Sequence, residues 1–127
     1  KIKMIDFNNA AFIKLKPTND DAFVNNISPI FVKGESTLGT YKGILDGVVF
    51  TTHRIIAINV QGITGKKKDF TSLPYSKIQT FSIETAGTFD LDSELELWFS
   101  GLGKVKSEFS SRANVSEIAK IISERIL

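Results

Sequence analysis

Few side chains in this sequence could carry out chemistry. The single histidine, His53, lies in Thr52-His53 between two apolar stretches. A catalytic imidazole needs a nucleophile or an orienting carboxylate beside it, and no Gly-x-Ser-x-Gly elbow is present. His53 therefore reads as a turn residue, and Tyr75, after Pro74, as a half-buried packing residue rather than an acid. One histidine and no cysteine exclude two-histidine metal motifs, thiolate sites, disulfides and a cysteine nucleophile. No catalytic residue is expected.

Two charged clusters remain. Asp90, Asp92, Glu94 and Glu96, with Glu84 nearby, could attract a hard cation, which wants several carboxylates. Their spacing lacks the glycine and the terminal glutamate of an EF-hand loop. Asp side chains in such a loop can instead cap backbone amides. No metal and no other cofactor is expected. Lys66, Lys67 and Lys68 form the basic run, after Gly65 at a hairpin tip. They are the candidate contact for an anionic lipid or another anionic ligand. The preferred reading is a solvated edge whose lysines discourage unwanted strand pairing. No aromatic platform is interleaved with them, so no nucleic-acid partner is expected.

The elements that must position these residues follow from periodicity. From Gly34 onward the apolar pattern has period two, and seven strands are expected. They are Glu35–Lys42, Gly47–Thr51, Arg54–Val60, Lys66–Leu73, Ile78–Thr85, Glu94–Phe99 and Lys104–Phe109. In the sixth, Leu95, Leu97 and Phe99 point one way and Glu94, Glu96 and Trp98 the other. Such alternation marks an antiparallel sheet with one wet face. Asn114 and Glu117 open a C-terminal helix, whose buried stripe reads Val115, Ile118, Ala119, Ile122 and Ile126. Upstream, Phe12-Ile13-Lys14-Leu15 reads as a short strand ended by Pro17. Thr18 to Asp21 open a short helix carrying Phe23, Ile27, Ile30 and Phe31, stopping near Ser28 before Pro29. Seven strands and a terminal helix imply a mainly β, partly open barrel capped by that helix. Residues 18–127 form the domain, and residues 1–17 are a segment of uncertain role.

The 127 residues are 42% hydrophobic and 24% charged, enough for one cored domain. Sixteen basic and fourteen acidic side chains give +2 formally, too little to argue for a polyanionic partner. No window reaches the length of a membrane-spanning helix, and Lys1-Ile2-Lys3-Met4 opens no apolar leader. A cytoplasmic location is expected.

Several runs resemble a known family. They are Val49-Phe50-Thr51-Thr52-His53-Arg54-Ile55-Ile56, Leu73-Pro74-Tyr75-Ser76-Lys77-Ile78 and Glu84-Thr85-Ala86-Gly87-Thr88-Phe89-Asp90-Leu91-Asp92. Together they resemble the bacterial pleckstrin-homology (PH) family, once catalogued as a domain of unknown function. The resemblance implies a seven-stranded barrel with a C-terminal helix, no catalysis and ring-like homo-oligomers. Leu45-Asp46 stands where the family usually has Arg-Asp. Many eukaryotic PH domains bind phosphoinositides through several cations on the loop between their first two strands. Here that loop, Lys42-Gly43-Ile44-Leu45-Asp46-Gly47, sets one lysine against one aspartate, so such a site is expected to be absent and membrane contact is not expected. The expected partner is the chain itself, or an unknown protein. The outward Trp98 and the apolar Phe12, Ile13 and Leu15 are the candidate interface. For Trp98 the alternative is cover from the N-terminal segment or the short helix.

Overall fold

The structure is a computed structural model that describes residues 12–19, 24–61, 67–85, 87 and 91–127. Among the described residues, eight strands form two antiparallel sheets. The first sheet runs in the order β1 (Lys16–Pro17), β2 (Thr37–Lys42), β3 (Asp46–Thr51), β4 (Arg54–Gln61), β5 (Lys67–Pro74). The second is β6 (Ile78–Glu84), β7 (Ser93–Phe99), β8 (Gly103–Phe109), and helix α1 (Val115–Ile126) follows. The seven strands expected from periodicity are thus present, with a two-residue strand added ahead of them. The sheets do not close, and the architecture is a partly open PH-like barrel capped by the terminal helix.

The core forms where the inner faces meet. Val48, Phe50, Ile55, Ala57 and Leu73 of the first sheet pack with Leu95, Leu97, Phe99, Val105 and Phe109 of the second. Tyr41 sits edge-on to both Phe50 and Phe109, with ring centroids 5.7 and 5.2 Å away. That geometry favours contact between the ring edge and the partner's π face. Gly101 and Gly103, at φ +84° and +93°, make the tight β7–β8 connection that a side chain would strain.

Two expectations near the N-terminus are corrected. The strand expected at 12–15 does not form there: Phe12 and Lys14 have φ of +58° and +53°, outside the extended region. Pairing begins at Lys16, and Pro17 lies within β1, opposite Tyr41, on an edge where its missing N–H costs no ladder bond. Residues 12–15 instead lie along β8. The Leu15 N–H donates to the Glu108 carbonyl at 3.0 Å, and the Glu108 N–H to the Phe12 carbonyl at 2.8 Å. Phe12 and Leu15 are buried in the core, so this stretch packs with the barrel. Val24 and Asn25 are helical, and a 3₁₀ turn at Ser28–Ile30, with Pro29 in its first positions, ends that course. Phe23, Asp20 and Asp21, expected in the same helix, lie outside the described residues.

The first sheet is apolar on both faces at its centre. Val49, Ile56 and Ile58 point away from the main core and are buried by Ile27 and Phe31. The segment from Val24 to Glu35 is therefore a cover for the outer face.

Helix α1 opens at Asn114, whose Oδ1 accepts from the Glu117 N–H at 3.1 Å. Ile118, Ile121 and Ile122 are buried against the barrel, whereas Ile126 is half-buried at the margin. The stripe is shifted from the expected one by the inclusion of Ile121. Ile122→Ala removes a fully buried side chain and is expected to cost about 2–5 kcal/mol. Urea unfolding would show this as a lowered midpoint with an unchanged slope.

Candidate functional site

The family-like run Thr51-Thr52-His53-Arg54 turns β3 into β4. The Thr51 hydroxyl accepts from the backbone N–H of His53 and Arg54, at 3.1 and 3.0 Å, which fixes the turn. The same hydroxyl donates to Glu35 Oε2 at 2.6 Å. Arg54 grips Glu35 in bidentate fashion, Nε to Oε2 at 2.9 Å and Nη2 to Oε1 at 3.0 Å. It also donates to the Ile30 carbonyl at 2.8 Å and to Ser72 Oγ at 3.2 Å. Glu35 is thereby taken from the strand in which periodicity placed it, and β2 begins at Thr37. Tyr75 is fully buried rather than half-buried. Its hydroxyl donates to the Thr51 carbonyl at 2.8 Å, and burial raises its pKa. His53 is exposed, with Nδ1 2.7 Å from the Thr52 hydroxyl. Thr51, Glu35, Arg54 and Tyr75 thus form one network that holds this turn, and the group beside the His53 ring is the hydroxyl of its chain neighbour Thr52.

Burial of Glu35 would raise its pKa. Hydrogen bonds from Arg54, Thr51 and the Val32 N–H, with the charge of Arg54, outweigh burial and bring it from 4.5 to about 2. Its stabilising contribution is fully present above about pH 4.5 and is lost as pH falls towards about 2. Glu35→Gln is expected to lower stability by about 2–3 kcal/mol at neutral pH. In urea titrations the gap to the parent should narrow as pH falls from about 5 to about 3; a constant gap would refute the assignment.

The acidic cluster resolves into cross-strand pairs. Glu94 meets Lys106 at 3.2 Å and Glu96 meets Lys104 at 3.4 Å on the outer face of the second sheet. The bond from Glu94 raises the Lys106 pKa. Asp90 lies outside the described residues. Trp98 shares this outer face, 41% exposed, with the Lys104 ammonium 5.5 Å from its ring centroid. Of the other candidate interface residues, Ile13 is exposed. Phe12 and Leu15 are buried in the core and unavailable to a partner, which corrects their assignment. In the basic run, Lys68 is exposed, Lys67 opens β5 opposite Gln61, and Lys66 lies outside the described residues.

A groove of about 540 Å³ opens at the tip of the β2–β3 hairpin. Lys14, Lys16 and Lys42 line it with Ile13, Ile44 and Leu45. Sequence reading set Lys42 against Asp46 and missed the other two lysines, which reach the loop through the β1–β2 pairing of Lys16 with Lys42. The Asp46 carboxylate is engaged by the Phe12 N–H at 2.6 Å, and burial raises its pKa. A Cβ at Gly43 would run into that carboxylate and force it to shift from the Phe12 N–H. The signal available in the sequence was Ile44-Leu45, two aliphatic side chains in a glycine-bounded turn.

The partly open barrel and its capping helix define the class of a PH-like domain. A family model described as Bacterial PH domain matches residues 6–126, and the chain belongs to that family. The uncharacterised protein YjqA of Bacillus subtilis (strain 168) is 42% identical over 104 residues, 80% of this chain and 83% of that protein. The crystal structure of a DUF1696 family protein with a pleckstrin-homology domain from Shewanella loihica PV-4 is similar with a TM-score of 0.80 and 39% identity. That match covers 91% of this chain and 99% of the other. A pleckstrin homology domain from Shewanella amazonensis SB2B gives 0.64 and 41%, covering 82% and 95%.

Proposed function

We propose that this PH-like domain is a non-catalytic binding module that works as a homo-oligomeric scaffold. The observation that carries the reading is the open seam between the two sheets. β5 and β6 follow one another in the chain yet belong to different sheets, and each is the last strand of its own. The 3₁₀ turn Tyr75–Lys77 joins them, and α1 packs against that turn and β6. Edge strands with unpaired amides invite another strand unless they are covered. Aromatic side chains flank the seam: Phe70 on β5 is 38% exposed, and Trp98 lies one strand in from the β6 edge, opposite Thr80. The β5 edge of one copy and the β6 edge of the next form a heterologous contact, which closes into a ring when its rotation permits.

Light scattering at micromolar concentration tests this. The expected particle is a multiple of the chain larger than a dimer. Trp98→Ala is expected to weaken association by about 2 kcal/mol or more, as loss of an interface tryptophan does. A single-chain particle for the parent protein would overturn the scaffold reading and leave a different protein as the partner for Trp98.

A further inference from the structure

Residues 12–17 lie in a seat walled by β8, β2 and the Asp46 carboxylate. Two side chains fill the seat, Phe12 and Leu15, three positions apart, while Ile13 and Lys14 between them are exposed. A backbone cost stands against these contacts. Phe12 and Lys14 hold left-handed φ, which bulky residues adopt only where the surroundings enforce it, and such strain is concentrated at functional positions. Ordering the whole stretch costs conformational entropy as well. Segments in which gains and costs lie close together are the ones that open first.

The seat is also wider than its occupant. A void in the core is bounded by Phe12 together with Val48, Ala57, Leu97 and Ser107. Unfilled space beside a ring forfeits dispersion contacts, so the aromatic end of the seat is under-packed. The polar wall is generic. The Phe12 and Leu15 carbonyls accept from the Glu108 and Ser110 N–H, the Leu15 N–H donates to the Glu108 carbonyl, and Asp46 takes the Phe12 N–H. Main-chain pairing of this kind accepts any extended segment, and the side-chain pockets select among them. The selection rule is an aromatic residue followed three positions later by an aliphatic one.

We infer that residues 12–17 are a releasable strap, and that the seat beneath it binds an extended aromatic-x-x-aliphatic segment of another protein. The strap is the internal competitor for that segment. A partner gains where the strap is weakest: glycine at the position of Lys14 removes one left-handed cost, and a larger ring fills the void. A strap donated by a second copy would bring the same strain and the same unfilled space, and so has no advantage over the resident one. The seat lies at the opposite ends of both sheets from the β5–β6 seam, so the inference is independent of the seam contact.

Fluorescence anisotropy with two labelled peptides decides it, using the full chain. One peptide copies residues 10–18, and the other carries Phe12→Trp and Lys14→Gly in that sequence. The second is expected to bind about tenfold or more tightly than the first. The chain has no cysteine, so the double variant Lys16→Cys/Lys42→Cys can form a single disulfide across the β1–β2 pair, locking the strap in place. Both positions are exposed, and an unchanged melting temperature of the reduced variant would confirm that it folds. Oxidation is expected to abolish peptide binding and reduction to restore it. Four results would each overturn the inference: no binding of either peptide at millimolar concentration; equal binding of the two; binding that oxidation of the double variant leaves unchanged; or disulfides that join separate chains on oxidation. The third would mark a peptide contact elsewhere on the barrel, and the fourth an exchange of straps between copies.

Discussion

The guanidinium of Arg54 is the interaction on which the outer half of the fold depends. Both Glu35 oxygens, the Ile30 carbonyl and the Ser72 hydroxyl accept from it. Placing two opposite charges where the Glu35 side chain has no solvent contact is costly, and the pair is tolerable only because nearly every lone pair and proton is used. Removing either partner strands the other. What the pair achieves is positional. It ties the 30–36 loop to the β3–β4 turn and to β5, so the segment carrying Ile27 and Phe31 stays against Val49, Ile56 and Ile58.

That fixed cover explains a feature that simple alternation does not. β3 and β4 are apolar on both faces, a pattern usual in sheets covered on both sides. Here the inner face meets the second sheet and helix, and the outer face meets a short non-strand segment. Among the described residues the second sheet has no such cover and keeps one wet face, lined by Glu94, Glu96, Lys104 and Lys106 in diagonal pairs. Exposed pairs of this kind contribute little to stability, but they set cross-strand register and keep an otherwise open face soluble.

The legible parts of the fold were those with local causes. The seven strands show as period-two alternation or, in β3 and β4, as short apolar runs, and α1 as an apolar stripe behind an asparagine cap. The N-terminal stretch misled because its physics is not local. Phe12-Ile13-Lys14-Leu15 is apolar enough to read as a strand, yet the left-handed backbone at Phe12 and Lys14 is stabilised by the core that takes Phe12 and Leu15, by the β8 carbonyls and amides and by the Asp46 carboxylate. Glu35 likewise looks like the first residue of a strand until Arg54 is brought beside it. The family-like run was recognisable, but nothing in its order said that Thr51, Arg54 and Tyr75 form a structural network rather than a site.

The groove at the hairpin tip was hidden for a related reason. A loop read alone shows only its own charges, and Lys42 against Asp46 looks neutral. In three dimensions the two do not balance in the same way. Asp46 has its carboxylate turned towards the Phe12 amide in a half-buried setting, whereas Lys16 arrives from a strand that pairs alongside and Lys14 from the stretch just before it. The same carboxylate that a sequence reading sets against the lysine instead holds the N-terminal stretch in place. By anchoring Phe12, Asp46 fixes the strained turn that exposes Ile13 and lays Lys14 against the tip. The charge of the groove and the shape of the groove thus have one origin, the docking of residues 12–17 across the open side of the barrel.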